Sequence, residues 1–132
     1  MRRPIRSTAA LVLLVVLAAA CRPSEPLRVS GLQLGRSRNA DNSVGGHTTQ
    51  FRPDQTIYAS VVTDGPGSGT IAARWLYAGR LVSEERKDVS YNREAYTEFH
   101  IQNSGGFPPG DYRVEILLDG KEVASRDFRV QK

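Results

Sequence analysis

The sequence predicts an all-β fold, an antiparallel sandwich of about seven strands in one domain over residues 27–132. Three observations carry this prediction. Short runs of alternating apolar and polar residues recur at regular spacing after residue 26. Clusters rich in Gly, Pro, Asn and Asp separate these runs, and such residues favour turns. The residues after position 26 show no convincing helical periodicity.

The individual strands follow from this alternation. Gly31 interrupts the first run, so a β-bulge is expected there. Gly35–Gln50 is polar and lacks periodicity, which predicts a long loop that is either functional or disordered. Asp119-Gly120 is a strong signal for a two-residue hairpin. The predicted strands are Leu27–Leu34, Gln55–Thr63, Thr70–Ala78, Arg80–Val89, Arg93–Gln102, Asp111–Asp119 and Lys121–Gln131.

Two aromatic residues add detail to the sandwich. Trp75 lies in the middle of the third predicted strand, and Tyr112 lies near the start of the sixth within Gly110–Val114. The pattern resembles immunoglobulin-like and fibronectin-like domains, in which a buried Trp and a tyrosine corner occupy these places. The resemblance covers residues 27–132. It implies that Val61 and Val114 stand roughly where that fold carries its inter-sheet cysteines, with aliphatic packing in place of a disulfide.

The N-terminal residues have the layout of a secretory signal peptide. Arg2, Arg3 and Arg6 precede the apolar run Ala9–Ala20, which ends in small residues suited to cleavage. That run is too short to span a bilayer, which takes about 20 residues.

The only cysteine of the chain follows this run directly. The stretch Leu17–Cys21 resembles the lipobox of bacterial lipoproteins, although Ala18 stands where leucine is commoner. The resemblance implies that residues 1–20 are removed and that Cys21 is acylated, with residues 21–26 as its tether. In the lipoproteins that this stretch resembles, an Asp after the cysteine often marks retention in the inner membrane. Arg22 stands there in this chain, so the resemblance implies the periplasmic side of the outer membrane within the cell envelope. The alternative is an ordinary signal peptide followed by a free cysteine.

The net charge limits the classes of partner, and the cysteine count limits how the fold can be stabilised. The net charge is +4, but three of the 18 basic residues lie in the signal peptide, so residues 21–132 carry a net charge of only +1. No basic block suggests binding to nucleic acid. A single cysteine allows no intrachain disulfide, so the core must hold the fold.

The sequence carries no convincing catalytic or metal-binding motif. His47 and His100 are the only histidines, and neither has a ligand partner at metal-site spacing. We expect no metal, no cofactor and no enzymatic activity. Glu84 and Glu85 are adjacent on a strand and face opposite sides, which indicates a solvated edge strand and not an acid–base pair.

Binding is therefore the expected activity, and two groups of residues are candidates. We expect a protein-binding or scaffold module whose partner is an envelope protein, with the membrane contacted through the lipid. The alternative is a carbohydrate-binding module for peptidoglycan or surface polysaccharide, and an enzyme is the least favoured hypothesis. The candidates are Asp41, His47 and Thr48 in the long loop, and Tyr58, Arg74 and Tyr96 on strand faces.

Overall fold

The computed structural model describes residues 25–132, which form two β-sheets packed face to face. The signal peptide and Cys21 lie outside the described residues. All seven predicted strands are present, and the predicted all-β sandwich is confirmed. The nine strands are β1 (Arg28–Arg38), β2 (Val44–His47), β3 (Gln50–Phe51), β4 (Ile57–Asp64), β5 (Gly67–Tyr77), β6 (Arg80–Tyr91), β7 (Ala95–Ile101), β8 (Gly110–Leu118) and β9 (Lys121–Val130).

The strands divide into a four-stranded and a five-stranded sheet. The first has the order β2-β1-β4-β7, and the second has the order β3-β9-β8-β5-β6. Neighbours in both sheets are antiparallel except β3 and β9, which pair in parallel. β6 and β7 are therefore edge strands of different sheets.

The predicted long loop contains ordered strands. β1 continues to Arg38, and β2 and the start of β3 also lie within residues 35–50. The β1–β2 hairpin turns back over the four-stranded sheet, where the Asn42 carbonyl accepts a hydrogen bond of 2.8 Å from the Ser60 hydroxyl. The sequence pattern did not predict β2 and β3 because these strands are very short, and β2 includes two glycines.

The core lies between the two sheets and is centred on Trp75, which is fully buried. The Trp75 ring meets Phe128 edge-on at 5.9 Å between centroids. Val61 and Val114 are also fully buried, so aliphatic packing fills these core positions. The Tyr112 hydroxyl donates a hydrogen bond of 2.7 Å to the Pro108 carbonyl four residues upstream, as a tyrosine corner does.

Backbone geometry agrees with the predicted bulge and hairpin. The pairing of β1 with β4 shifts register between Val29 and Gly31. Asp119 and Gly120 have φ angles of 50° and 85°, and the positive φ at both central residues is what a type I′ hairpin turn requires.

The strand directions define two poles of the domain. The N-terminal pole contains Glu25, whose carbonyl accepts a hydrogen bond from Ser68 at the start of β5. The distal pole contains the β5–β6 turn and residues 102–109. The eleven residues of β5 separate the poles by about 36 Å. Within residues 25–132, no helix is long and apolar enough to cross a membrane.

Candidate functional site

A gap runs between the sheets where the edge strands β6 and β7 lie side by side. Near the N-terminal pole, the Tyr91 and Thr97 hydroxyls close the gap with a hydrogen bond of 2.6 Å. Further along, Lys87 reaches from β6 to β7 and donates a hydrogen bond to the main-chain carbonyl of Glu98. The same ammonium lies 4.9 Å from the centre of the Phe99 ring, in a cation–π contact. The two bridges therefore seal one half of the gap.

Glu98 is a buried acidic residue on the outer face of β7. Its carboxylate points away from the core, yet the residue is only 5% exposed. His100 Nδ1 lies 2.6 Å from one carboxylate oxygen, and Lys87 Nζ lies 3.9 Å from the other. These two side chains shield the carboxylate from water, which strand alternation alone does not reveal.

Beyond Lys87 the two edges separate, and a groove of about 590 Å³ opens toward the distal pole. Val82 and Ser83 line it from β6, and His100 and Ile101 line it from β7. Gln102 and Asn103 lie at the end of β7, and aromatic rings complete the lining. The residues that line the groove are Tyr77, Val82, Ser83, His100, Ile101, Gln102, Asn103, Phe107, Pro108 and Tyr112.

The aromatic part of this lining is fixed by packing and hydrogen bonds. Tyr77 stacks on Tyr112 with 4.6 Å between ring centroids, and Phe107 meets Tyr112 edge-on at 6.1 Å. The Tyr77 hydroxyl donates to the Pro109 carbonyl at 3.0 Å, as the Tyr112 hydroxyl does to Pro108. Burial, and secondarily the nearby Tyr77, raises the pKa of Tyr112. Both hydroxyls are already paired with the protein, so these rings offer a ligand mainly apolar surface.

The exposed apolar side chain of Val82 lines the groove from β6. Leu81 is 48% exposed and Val82 is 53% exposed, whereas a third exposed apolar residue, Val123, lies apart on β9 and is 40% exposed. Leu81 pairs with Leu76 on the outer face of the five-stranded sheet, so of these three residues Val82 alone adds exposed apolar surface to the groove.

Two charged residues of β6 face the same side as the groove. Arg80 pairs with Tyr77, and Glu85 pairs with the buried Ala73. Directly opposed residues of antiparallel strands have side chains on one face. Within residues 25–132, neither Arg80 nor Glu85 forms a salt bridge, and both are exposed.

The structure places the predicted loop candidates in turns of the chain. Asp41 accepts hydrogen bonds from the Ser43 hydroxyl at 2.5 Å and the Ser43 amide at 3.0 Å, and these lower the pKa of Asp41. The Thr48 hydroxyl bonds with the backbone of Gln50. His47 is exposed at the end of β2. The polar groups of Asp41 and Thr48 thus stabilise local turns, and none of the three lines the groove.

The predicted strand candidates lie on different surfaces. Arg74 is on the outer face of the five-stranded sheet, and its Nε is buried with no hydrogen-bond partner in the described part of the chain. Tyr58 and Tyr96 are on the outer face of the four-stranded sheet. The Tyr58 ring lies 5.6 Å from His100, which pairs with it, and Tyr96 is four positions away along β7, about 13 Å. The structure therefore does not bring Arg74 and the two tyrosines into one patch.

Within the described residues, the imidazole of His100 pairs with the carboxylate of Glu98. No hydrogen bond joins Ser83 to His100, although both line the groove. Among residues 25–132, no group of three or more His, Cys, Asp or Glu side chains is placed to hold a metal ion.

Comparison with solved structures identifies the type of sandwich. An immunoglobulin-like protein from Pseudomonas aeruginosa superposes with a TM-score of 0.57 and 12% sequence identity, over 82% of this chain and 98% of that chain. The fold is immunoglobulin-like. At this level of identity the likeness concerns the fold alone.

Parts of larger proteins also align with this chain, at lower TM-scores. A β-glucosidase from Listeria innocua aligns with a TM-score of 0.49 and 15% identity, over 83% of this chain but only 16% of the enzyme. An alkylpurine DNA glycosylase from Pseudomonas fluorescens aligns with a TM-score of 0.47 and 13% identity, over 76% of this chain and 30% of that chain. No family model matches this chain, and no curated protein sequence matches it.

The groove has no contiguous signal in the sequence. Its lining joins the start of β6, the end of β7 and the segment that leads to β8, and these are separate in sequence. One feature of the sequence could have drawn attention to this region. Leu81 and Val82 are two adjacent apolar residues in a strand that is otherwise rich in charged residues and shows no regular alternation of apolar and polar residues.

Proposed function

We propose that this chain is a non-catalytic protein-binding module of a bacterial cell envelope. The observation that carries the proposal is the groove between the β6 and β7 edges, with a partly apolar, aromatic lining and the exposed Val82 at its border. Its volume lies within the range of about 300–1,000 Å³ that is typical of ligand sites. Apolar and aromatic lining is also typical of the centre of a protein interface.

The geometry gives less support to glycan binding. A sugar would stack on an exposed ring face, but Tyr112 and Phe107 are only 4% and 8% exposed. The Tyr77 and Tyr112 hydroxyls already donate to main-chain carbonyls. A polysaccharide would therefore find few free polar groups on the aromatic part of the groove.

The same proposal includes a lipid anchor on Cys21, at the periplasmic side of the outer membrane. Its support is the lipobox-like stretch Leu17–Cys21 and the absence of Asp at position 22. A lipoprotein carries two or three acyl chains, and stable anchoring takes more than one. An anchored domain would leave the membrane from its N-terminal pole, so the groove would open toward partners away from the bilayer.

The test selects random displayed dodecapeptides on the full-length protein in detergent and then measures their affinity for two variants. Val82→Glu places a charge at the groove, and Val123→Glu makes the same change at another exposed valine. We expect at least a tenfold loss of affinity for Val82→Glu and less than a twofold change for Val123→Glu.

Two outcomes would contradict the proposed protein-binding role. One is equal binding by the two variants, and the other is a selection that enriches no peptide sensitive to Val82→Glu. Binding of purified peptidoglycan that Val82→Glu abolishes would instead favour the carbohydrate-binding alternative.

A further inference from the structure

We propose that the groove binds an extended peptide of a partner protein by β-strand addition to the free edge of β7. The peptide would carry an apolar residue in the groove, an acidic residue near Arg80 and a basic residue near Glu85. This inference rests on the proposed protein-binding role and adds the mode of binding and the chemistry of the partner.

The Lys87 contact shows which backbone groups of β7 face the gap. Lys87 donates to the Glu98 carbonyl from β6, so that carbonyl points away from β4. In an antiparallel pair, residues alternate between those bonded to the partner and those facing away. β4 and β7 pair without a register shift from Ile57 to Thr63. The N–H and C=O of His100 therefore also point to the free edge, beside the groove.

The same contact limits the length of the added strand. Lys87 occupies the Glu98 carbonyl, and the Tyr91–Thr97 bond closes the gap beyond it. A peptide can therefore pair with β7 only from His100 toward the distal pole. Successive side chains of a strand point to opposite faces. An apolar side chain that faces inward would fill the space bordered by Val82 and Tyr112.

Charges on β6 define the ends of the complementary peptide. Arg80 and Glu85 face the groove side at its open and closed ends, and within the described residues neither is neutralised by a salt bridge. Opposite charges at facing positions steer association and fix register. A peptide with an acidic residue at the Arg80 end and a basic residue at the Glu85 end would satisfy both.

Amide hydrogen exchange of the full-length protein in detergent tests strand addition directly. The probe is the tightest displayed dodecapeptide that Val82→Glu weakens. We expect the His100 amide to exchange at least tenfold more slowly in the complex, because the peptide backbone accepts a hydrogen bond from it. An unchanged exchange rate at His100 with the peptide bound would overturn the inference.

A proline substitution supplies an independent test. Proline is tolerated where a strand's N–H faces an open edge, so His100→Pro should keep the fold while removing the donor. We expect His100→Pro to bind the peptide at least tenfold more weakly than His100→Ala, which keeps the donor. Equal affinities would contradict strand addition. If His100→Pro fails to fold, the exchange measurement still decides the question.

Charge reversal tests the chemistry of the peptide. Arg80→Glu should weaken a peptide whose acidic residue lies at that end, and exchanging that acid for Lys should restore at least half of the lost affinity on a logarithmic scale. No charge preference at either end would overturn this part.

If Val82→Glu abolishes binding but neither His100 test responds, the protein-binding role stands and strand addition fails. If Val82→Glu has no effect, both fail.

Discussion

Trp75 and Asp41 show how single side chains stabilise different parts of the domain. Trp75 is fully buried between the sheets, and its indole N–H has no hydrogen-bond partner among residues 25–132. Its contribution must therefore come from packing, chiefly against aromatic residues such as Phe128. Asp41, in contrast, is exposed, and its role is to fix a turn through Ser43.

Replacing Trp75 should be severely destabilising. Trp75→Ala leaves a large cavity in a packed core, and such changes cost about 3–5 kcal/mol. Urea unfolding followed by circular dichroism measures the effect. Leu81→Ala is the control, because that side chain is 48% exposed and should change the free energy of unfolding by less than about 0.5 kcal/mol. A loss below about 1 kcal/mol for Trp75→Ala would contradict its central place in the core.

The turn at Asp41 makes a prediction about pH. Its carboxylate accepts two hydrogen bonds from Ser43, which hold the pKa of Asp41 below the ordinary value of 3.8. The turn is thus favoured above pH 3.8, and this contribution is lost as the pH falls through the lowered pKa. Ser43→Ala should raise the pKa of Asp41 in an NMR titration, while Thr48→Ala should leave it unchanged. An unaltered pKa in Ser43→Ala would show that the hydroxyl is not responsible.

Strands long enough to show alternation could be predicted from the sequence, and the shorter strands could not. Alternation located the seven longer strands, and Gly31 and Asp119-Gly120 located the bulge and the hairpin. β2 and β3 were missed because four and two residues are too few to show a period, and the parallel pairing of β3 with β9 joins distant parts of the chain. The groove was missed because it forms only where the edges of two different sheets meet.

The β8–β9 hairpin should depend on the backbone freedom of Gly120. Its φ is 85°, and a side chain added there would meet no atom within 4 Å, so the cost of Gly120→Ala is purely conformational. We expect a loss of about 1 kcal/mol. Gly31→Ala is the control: its added Cβ would lie 3.5 Å from Val62 without left-handed strain. Chemical denaturation of both variants measures the difference, and equal stabilities would contradict the assigned turn geometry.

The N-terminus of the described chain and the groove lie at opposite poles of the domain. The described chain begins at the N-terminal pole beside the start of β5, and the groove opens near the end of that strand, about 36 Å away. Lys87 and Tyr91 close the β6–β7 gap near the first pole and leave it open toward the second. If Cys21 carries lipid, the groove lies at the pole away from the membrane.

The lipid anchor is tested by the mass of the mature protein and by one substitution. We expect an N-terminal peptide that begins at Cys21 and carries acyl groups. Cys21→Ser should lose this modification and should not appear in membrane fractions as a cleaved form. A cleaved Cys21→Ser protein that remains in the membrane fraction would contradict the anchor.

The groove between β6 and β7 is the surface that we propose contacts a partner protein. In-cell photo-crosslinking with a photoreactive amino acid at position 82, compared with position 123, tests this role, since both are exposed valines on different surfaces. We expect a discrete protein adduct from position 82, none from position 123, and loss of the adduct when His100→Pro is added. Adducts of equal yield from both positions, or from position 123 alone, would contradict the claim.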